Sequence, residues 1–237
     1  MKPYQHPITF ARTGNLGNDY QFAFADYETN LANYLPVDRE ARILDIGCGW
    51  GQFLSWLKQK NYRHLEGIDM GSDQVEHCRS LGLNASQASD SVLYLRERVE
   101  TYDLVTLHHV IEHVPPTNGL ELLRAMRDSL RPGGMAIVQT PNMSAVSAGF
   151  SRYIEFTHVT GYTESNLHEA LLLAGFARAT VFGSRTPLRF TPKRLLWIGL
   201  QSCLRAAWRV ALFSELGSDA PHILTKNLYS VAYRDPV

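Results

Sequence analysis

Eleven residues, Ala41 to Gly51 (ARILDIGCGWG), constrain this chain more than any other stretch. Ala41, Ile43, Leu44 and Ile46 make the near-continuous apolar run of a strand buried on both faces. Glycines follow at 47, 49 and 51. They let the chain turn tightly and let a ligand approach the main chain where a side chain would collide. The helix expected next points its unpaired N–H groups at the same place. Spacing then separates the candidate ligands. A dinucleotide site wants G-x-G-x-x-G, but the third glycine comes one residue early and Gln52 holds the later position. A phosphate loop wants G-K-[ST], which is absent. Asp45 ahead of G-x-G-x-G suits a ligand without a pyrophosphate, and its carboxylate can hold an ammonium directly or through water.

The same pattern of strand, turn and helix recurs. Strands are expected at 41–46, 64–69, near 84–88, 102–107 and 135–140. Helices are expected after the glycine turn, from Ser72 as N-cap to Gly82, over 91–99 and over 118–130. Such alternation implies parallel β-α-β units with right-handed crossovers, hence a doubly wound α/β sheet. The last third predicts a helix ending at Gly175, a strand over 177–184, a helical stretch from Pro192 to about Leu216 and a final strand over 227–234. No repeat or flexible linker divides the 237 residues, so a single domain is expected: an N-terminal cap (1–40), a core (41–184), a helical insertion (185–225) and the last strand (226–237).

Three acidic residues fall at the carboxyl ends of successive strands. Asp69 ends the second, placed to accept from both hydroxyls of a ribose. Asp90 follows the third, placed to accept from an adenine amino group. Each alone is an ordinary cap or turn residue. Together with Asp45 they ring one sheet edge.

Composition narrows the remaining classes. Lysine plus arginine equals aspartate plus glutamate at 23 each, so bulk charge gives no reason for nucleic-acid binding. Cys48, Cys78 and Cys203 are odd in number and widely spaced, which suits a reducing compartment and argues against a disulfide framework or a cysteine zinc site. Residues 1–30 lack a signal-peptide pattern, so a cytoplasmic protein is expected. The most apolar long stretch, 195–213, contains Gln201, Arg205 and Arg209 and makes a poor transmembrane span.

The motif set resembles class I S-adenosylmethionine-dependent methyltransferases, whose Rossmann-like seven-stranded, mostly parallel sheet ends in an antiparallel strand. ILDIGCGWG is similar to their first motif, EGIDM to their acidic second strand, ASD to the adenine-contacting turn, YDLVTLHHVIEHVP to the fourth strand and its turn, and LRPGGMAIVQTPN to the fifth strand. The resemblance covers residues 40–180. It implies S-adenosylmethionine as cofactor and S-adenosylhomocysteine as product. By it Asp45, Gly47, Cys48 and Gly49 line the methionine part, Asp69 and Met70 the ribose, Asp90 and Ser91 the adenine, His108 lies near the sulfonium, and Gly51 also belongs to the cofactor site. The N-terminal helix is expected to cover the cofactor with Tyr20 and Gln21, or simply to pack.

The turn HHVIEHVPP, residues 108–116, also fits the H-x-x-E-H metal signature over His109–His113. That signature needs a long helix, whereas a buried strand precedes it and Pro115 and Pro116 follow. No metal is expected, although His158 would be the one available third ligand. The resemblance instead puts His109 where the transferred methyl is faced. A neutral imidazole, with pKa about 6.5, can take a hydroxyl proton there, or His109 can simply pack. Glu112 and His113 are expected to brace the turn by side-chain to backbone bonds.

Acceptor contacts are expected from residues 141–165: Arg152, Tyr153, Glu155 and Tyr162, with His158 a second candidate base. The FTH…YT stretch resembles a subgroup associated with bacterial surface polysaccharides and implies a sugar or glycan acceptor. The alternatives are a quinone- or phenol-type acceptor, or a non-catalytic module that binds the cofactor. Along 192–216, Arg194, Gln201, Arg205 and Arg209 share one helical face while Trp197, Leu204, Trp208 and Ala211 share another. Such a helix packs on its own domain, on a partner such as a second copy in a homodimer, or peripherally on the inner membrane face.

Overall fold

The computed structural model describes residues 16–187 and 191–236. The expected N-terminal cap falls partly outside them, at residues 1–15. Seven strands form one sheet: β1 (Arg42–Ile46), β2 (His64–Asp69), β3 (Ala85–Gln87), β4 (Tyr102–His108), β5 (Leu130–Pro141), β6 (Arg178–Gly183) and β7 (Asn227–Tyr233). Their order is β3-β2-β1-β4-β5-β7-β6. β1, β2, β3, β4 and β5 pair in parallel, and β7 runs antiparallel between β5 and β6. The doubly wound sheet with an antiparallel last strand is therefore as the sequence predicts.

Alternation along the central strands sorts side chains onto two faces. Leu44, Ile46, Val105, Leu107 and Val138 pack beneath α4 (Ser91–Arg96), α5 (Pro116–Ser129) and α7 (Glu164–Leu173). On the other face Ile43, Leu104, Ile137 and Val231 meet Phe53, Trp56 and Leu57 of α2 (Gln52–Gln59), with Leu31 at the end of α1 (Leu16–Asn30). A third, smaller cluster joins Leu54 of α2 to Val75 and Cys78 of α3 (Ser72–Ser80). Burial on both faces explains why β1 and β4 read as apolar runs rather than alternating ones.

Local chemistry moves several expected boundaries. Gly71, not Ser72, is the N-cap of α3, and Asp69 Oδ1 accepts from the Gly71 N–H at 2.8 Å. α4 stops at Arg96 rather than Val99. α5 opens two residues early because Pro116 occupies the first turn, where a missing N–H costs nothing. β5 begins at Leu130, pairing with Tyr102 across a register shift before Met135 resumes the ladder opposite Leu104. Thr163 and Asn166 cap α7 reciprocally. Two helices lie at the sheet's carboxyl edge, α6 (Ala148–Tyr153) and α8 (Pro192–Leu216), the latter with the bounds read from sequence.

Leu104 sits fully buried in the central strand. Leu104→Ala is expected to lower the unfolding free energy by about 2–5 kcal/mol, measured as a fall in the urea midpoint at unchanged m value.

Candidate functional site

Ligands of open α/β sheets settle outside the carboxyl ends of the strands where the strand order reverses. Here that point lies between β1 and β4. The glycine loop leaves β1 and the histidine turn leaves β4, so both motifs meet at one place.

Gly47 and Gly49 shape the first loop for opposite reasons. Gly47 has φ +69, and a Cβ there would lie 2.3 Å from Val110 Cγ2, so the loop is pressed against the histidine turn. Gly49 has φ +51, and a Cβ there would meet nothing within 4 Å. It leaves open a cradle that a side chain would fill. The Gly49 N–H donates to Asp69 Oδ2 at 2.8 Å, so one carboxylate ties the loop to the end of β2. The Tyr20 hydroxyl of α1 donates to the Trp50 carbonyl, setting that helix over the loop.

Asp45 is almost wholly buried and accepts from the Thr106 hydroxyl at 2.7 Å. Burial pushes its carboxyl up to about 7, with Thr106 opposing and the Asp69 charge adding to the rise. A buried carboxyl poised near neutrality gains most from an arriving cation. Asp90 Oδ1 caps α4 by accepting from the Leu93 N–H at 2.9 Å, next to half-buried Ser91. Met70 is exposed, and Cys48 is buried under the loop.

His108 packs between Tyr27 and Phe53, with ring centroids 5.5 and 4.5 Å away. Its Nδ1 donates to Gln139 Oε1 at 3.0 Å. Its Nε2 is buried and meets no hydrogen-bond partner among the described residues. Burial lowers its pKa to about 4 against the pull of Gln139, so the ring is neutral.

His109 adopts φ +54, a left-handed backbone that a non-glycine residue holds only where its surroundings enforce it. Its side chain is 43% exposed, and Nδ1 lies 3.1 Å from Glu112 Oε1. A carboxylate only accepts, so Nδ1 carries the proton and Nε2 keeps its lone pair when the ring is neutral. Glu112 is buried, and Thr140 of β5 donates to its other oxygen at 3.2 Å. Burial works to raise the Glu112 carboxyl, yet the hydrogen bond and charge of His109 hold it below its ordinary value. Glu112 thus orients His109 with its side chain. Its carbonyl separately accepts from Val159 and Thr160. The expected side-chain to backbone brace takes another form: the Glu112 and His113 side chains bond other side chains, and the Glu112 main chain ties the turn to residues 159–160.

Other expected residues are placed less centrally. His158 is buried, and its Nδ1 donates to the Ser151 carbonyl at 2.7 Å. Its ring stands edge-on to His113, whose Nδ1 lies 3.0 Å from Thr157 Oγ1. Tyr162 is no open acceptor contact: it packs in the core, and burial raises its hydroxyl to about 12. Arg152 Nη2 donates to the Val159 carbonyl, and Glu155 is largely buried with Oε2 4.0 Å from His158. Tyr153 is exposed. Glu112, His113 and His158 bring one ligand atom each within 4.8 Å of one another, so the third ligand considered from sequence does meet this turn, though with Glu112 in place of His109 and with both Glu112 oxygens already taken by His109 and Thr140. Sequence reading also missed Asp26 on α1. It accepts from Tyr229 and Asn30, is pushed up by burial, and feels the opposing field of His109.

A seven-stranded sheet in this order, with a glycine cradle and acidic residues at the switch point, defines a Rossmann-like methyltransferase fold. Residues 20–181 match the family described as "Methyltransferase domain", and the chain belongs to that family, among the class I S-adenosylmethionine-dependent methyltransferases. A SAM-dependent methyltransferase from Archaeoglobus fulgidus superposes with TM-score 0.68 at 18% identity, covering 91% of this chain and 94% of that one. A Thermotoga maritima SAM-dependent methyltransferase, titled a possible histamine N-methyltransferase, gives 0.63 at 17% identity over 96% and 98%. Among curated relatives, the ubiquinone biosynthesis O-methyltransferase of Aeromonas salmonicida is 35% identical over 106 residues, 43% of each chain. That of Vibrio cholerae is 30% identical over 118 residues, 46% of each. The match thus spans less than half the length of these relatives.

The residues present fit the family's methyl donor. Asp45 would meet its ammonium, the open cradle over Gly49 its methionine part and the oxygens of Asp69 its ribose, while His108 presents an unpaired nitrogen. Asp45→Asn is expected to weaken S-adenosylmethionine binding about tenfold to a hundredfold, the value of a hydrogen bond to a charged group. Because a bound cation favours ionised Asp45, wild-type binding strengthens as pH rises through about 7 and then levels off. Calorimetry across pH 6–8 checks both, and binding in the variant is expected to lose that dependence.

Proposed function

We propose that the chain is an active O-methyltransferase whose acceptor is a hydroxyl on a small, largely apolar molecule of phenol or quinol type. The observation that carries the reading is the His109–Glu112–Thr140 chain of hydrogen bonds, which leaves one imidazole nitrogen uncommitted beside the glycine cradle.

When bound, S-adenosylmethionine supplies a methyl group activated by an adjacent sulfonium. The protein aligns and deprotonates. Glu112 fixes the His109 tautomer, and Nε2 takes the acceptor's hydroxyl proton as the oxygen attacks. The imidazolium that forms is stabilised by the Glu112 carboxylate, which cannot turn away because Thr140 holds its second oxygen. His108 stays neutral and adds no positive charge beside a cationic donor.

Two observations favour an apolar acceptor over the sugar expected from FTH…YT. Phe150, Tyr153, Phe156 and Val159 are all exposed on the acceptor segment, whereas Arg152 and Glu155 are engaged within it. The curated relatives are also named as O-methyltransferases of ubiquinone biosynthesis.

His109→Ala is expected to cut turnover about 10²–10⁴-fold, the usual contribution of a positioned base. Glu112→Gln is expected to lower kcat about tenfold or more with acceptor KM and cofactor affinity unchanged. Labelled methyl transfer to catechols, hydroquinones and free saccharides identifies the acceptor. Turnover of saccharides alone would overturn the acceptor assignment, and no turnover despite cofactor binding would overturn the enzyme reading.

A further inference from the structure

α8 is turned the wrong way for a helix that packs only on its own domain. None of its 25 residues is buried. Arg194, Ile198, Gln201, Arg205 and Leu212 are half-buried and form the inward face. Arg209 donates to the His222 carbonyl from the same side. The outward side carries Leu195, Leu196, Trp197, Leu200, Leu204, Val210 and Phe213, each 44–70% exposed. At 3.6 residues per turn these spread over roughly half the circumference. An ordinary surface helix does the reverse and buries its apolar stripe.

The apolar side also runs into the rest of the acceptor edge. Trp208 Nε1 donates to the Ser144 carbonyl, pinning α8 against the segment that holds Phe150, Tyr153 and Phe156. Both α8 and that segment thus hold exposed apolar side chains, the kind of feature that marks an interaction site when contiguous.

We infer that this surface docks on an anionic phospholipid bilayer, with α8 lying in the interface plane. The helix carries Lys193, Arg194, Arg205 and Arg209 against a single acid, Glu215, although the whole chain is neutral. Arg194, Arg205 and Arg209 lie on the side turned to the domain and Lys193 on the exposed side, so a net positive polar side backs a Trp-, Phe- and Leu-rich one, the arrangement of an in-plane helix at anionic headgroups and acyl chains. Trp197, on the outward side, has the amphipathic ring suited to the headgroup boundary. Among the described residues no helix is long and apolar enough to cross a membrane, so the contact is peripheral. Docked this way the acceptor edge faces the bilayer, and an amphiphilic acceptor reaches His109 without crossing water. That last consequence rests on the acceptor reading above; the docking does not.

Sedimentation of the full chain with vesicles of phosphatidylcholine and phosphatidylglycerol tests it without any acceptor. Wild type is expected to sediment with the mixed vesicles and bind phosphatidylcholine alone much less. Leu200→Glu with Phe213→Glu, both at exposed positions, is expected to weaken binding at least about tenfold while cofactor affinity and Tm stay unchanged. Wild type left in the supernatant, or equal sedimentation of the double variant, would overturn the docking. Equal binding to phosphatidylcholine alone would overturn the anionic preference. A wild-type dimer that the double variant dissociates, with no vesicle binding, would assign the face to a second copy instead.

Discussion

A carboxylate almost fully removed from water organises the acceptor edge. Burying a charge is costly unless every lone pair finds a partner. Glu112 meets that condition through His109 on its own turn and Thr140 on the neighbouring strand, while its carbonyl takes two N–H groups from the segment beyond. Three stretches distant in sequence are thereby fixed by one residue. The left-handed backbone at His109 follows from this, because the turn must bend back for the imidazole to reach the acid.

The cofactor side is built on the same principle with a different donor set. Asp69 takes main-chain N–H groups from both Gly49 and Gly71, so it holds the loop it also serves. Asp45, by contrast, has one hydroxyl partner and sits near its point of protonation. One acid is tied to the fold by two main-chain donors, the other by a single hydroxyl.

What the sequence made legible was whatever is local. The glycine spacing, the three strand-end aspartates and the Pro192–Leu216 helix are patterns within a few residues, and each is where it was expected. The missed features are tertiary. Thr140 lies 28 residues from Glu112, and Asp26 lies 203 residues from Tyr229, so no spacing rule could join them. His158 read as a second candidate base and Tyr162 as an acceptor contact because the segment is rich in polar and aromatic groups, but the carbonyl of Ser151 and the core cluster claim them. The two faces of α8 were evident from its periodicity, whereas which face turns outward depends on the surface it lies on.

The antiparallel β7 has an architectural consequence. Because it runs against β6, the connection from Ser184 to Lys226 leaves and re-enters the sheet at the edge where β5 ends, with Asn142 gripping the carbonyls of Ile223 and Thr225. That connection emerges at the β7–β6 end of the strand order, away from β1 and β2, which carry Asp45 and Asp69. Evolution can lengthen, shorten or resurface that hairpin without retuning the chemistry. The topology gives the glycine cradle and the long α8 connection separate halves of the sheet, so each can change without the other.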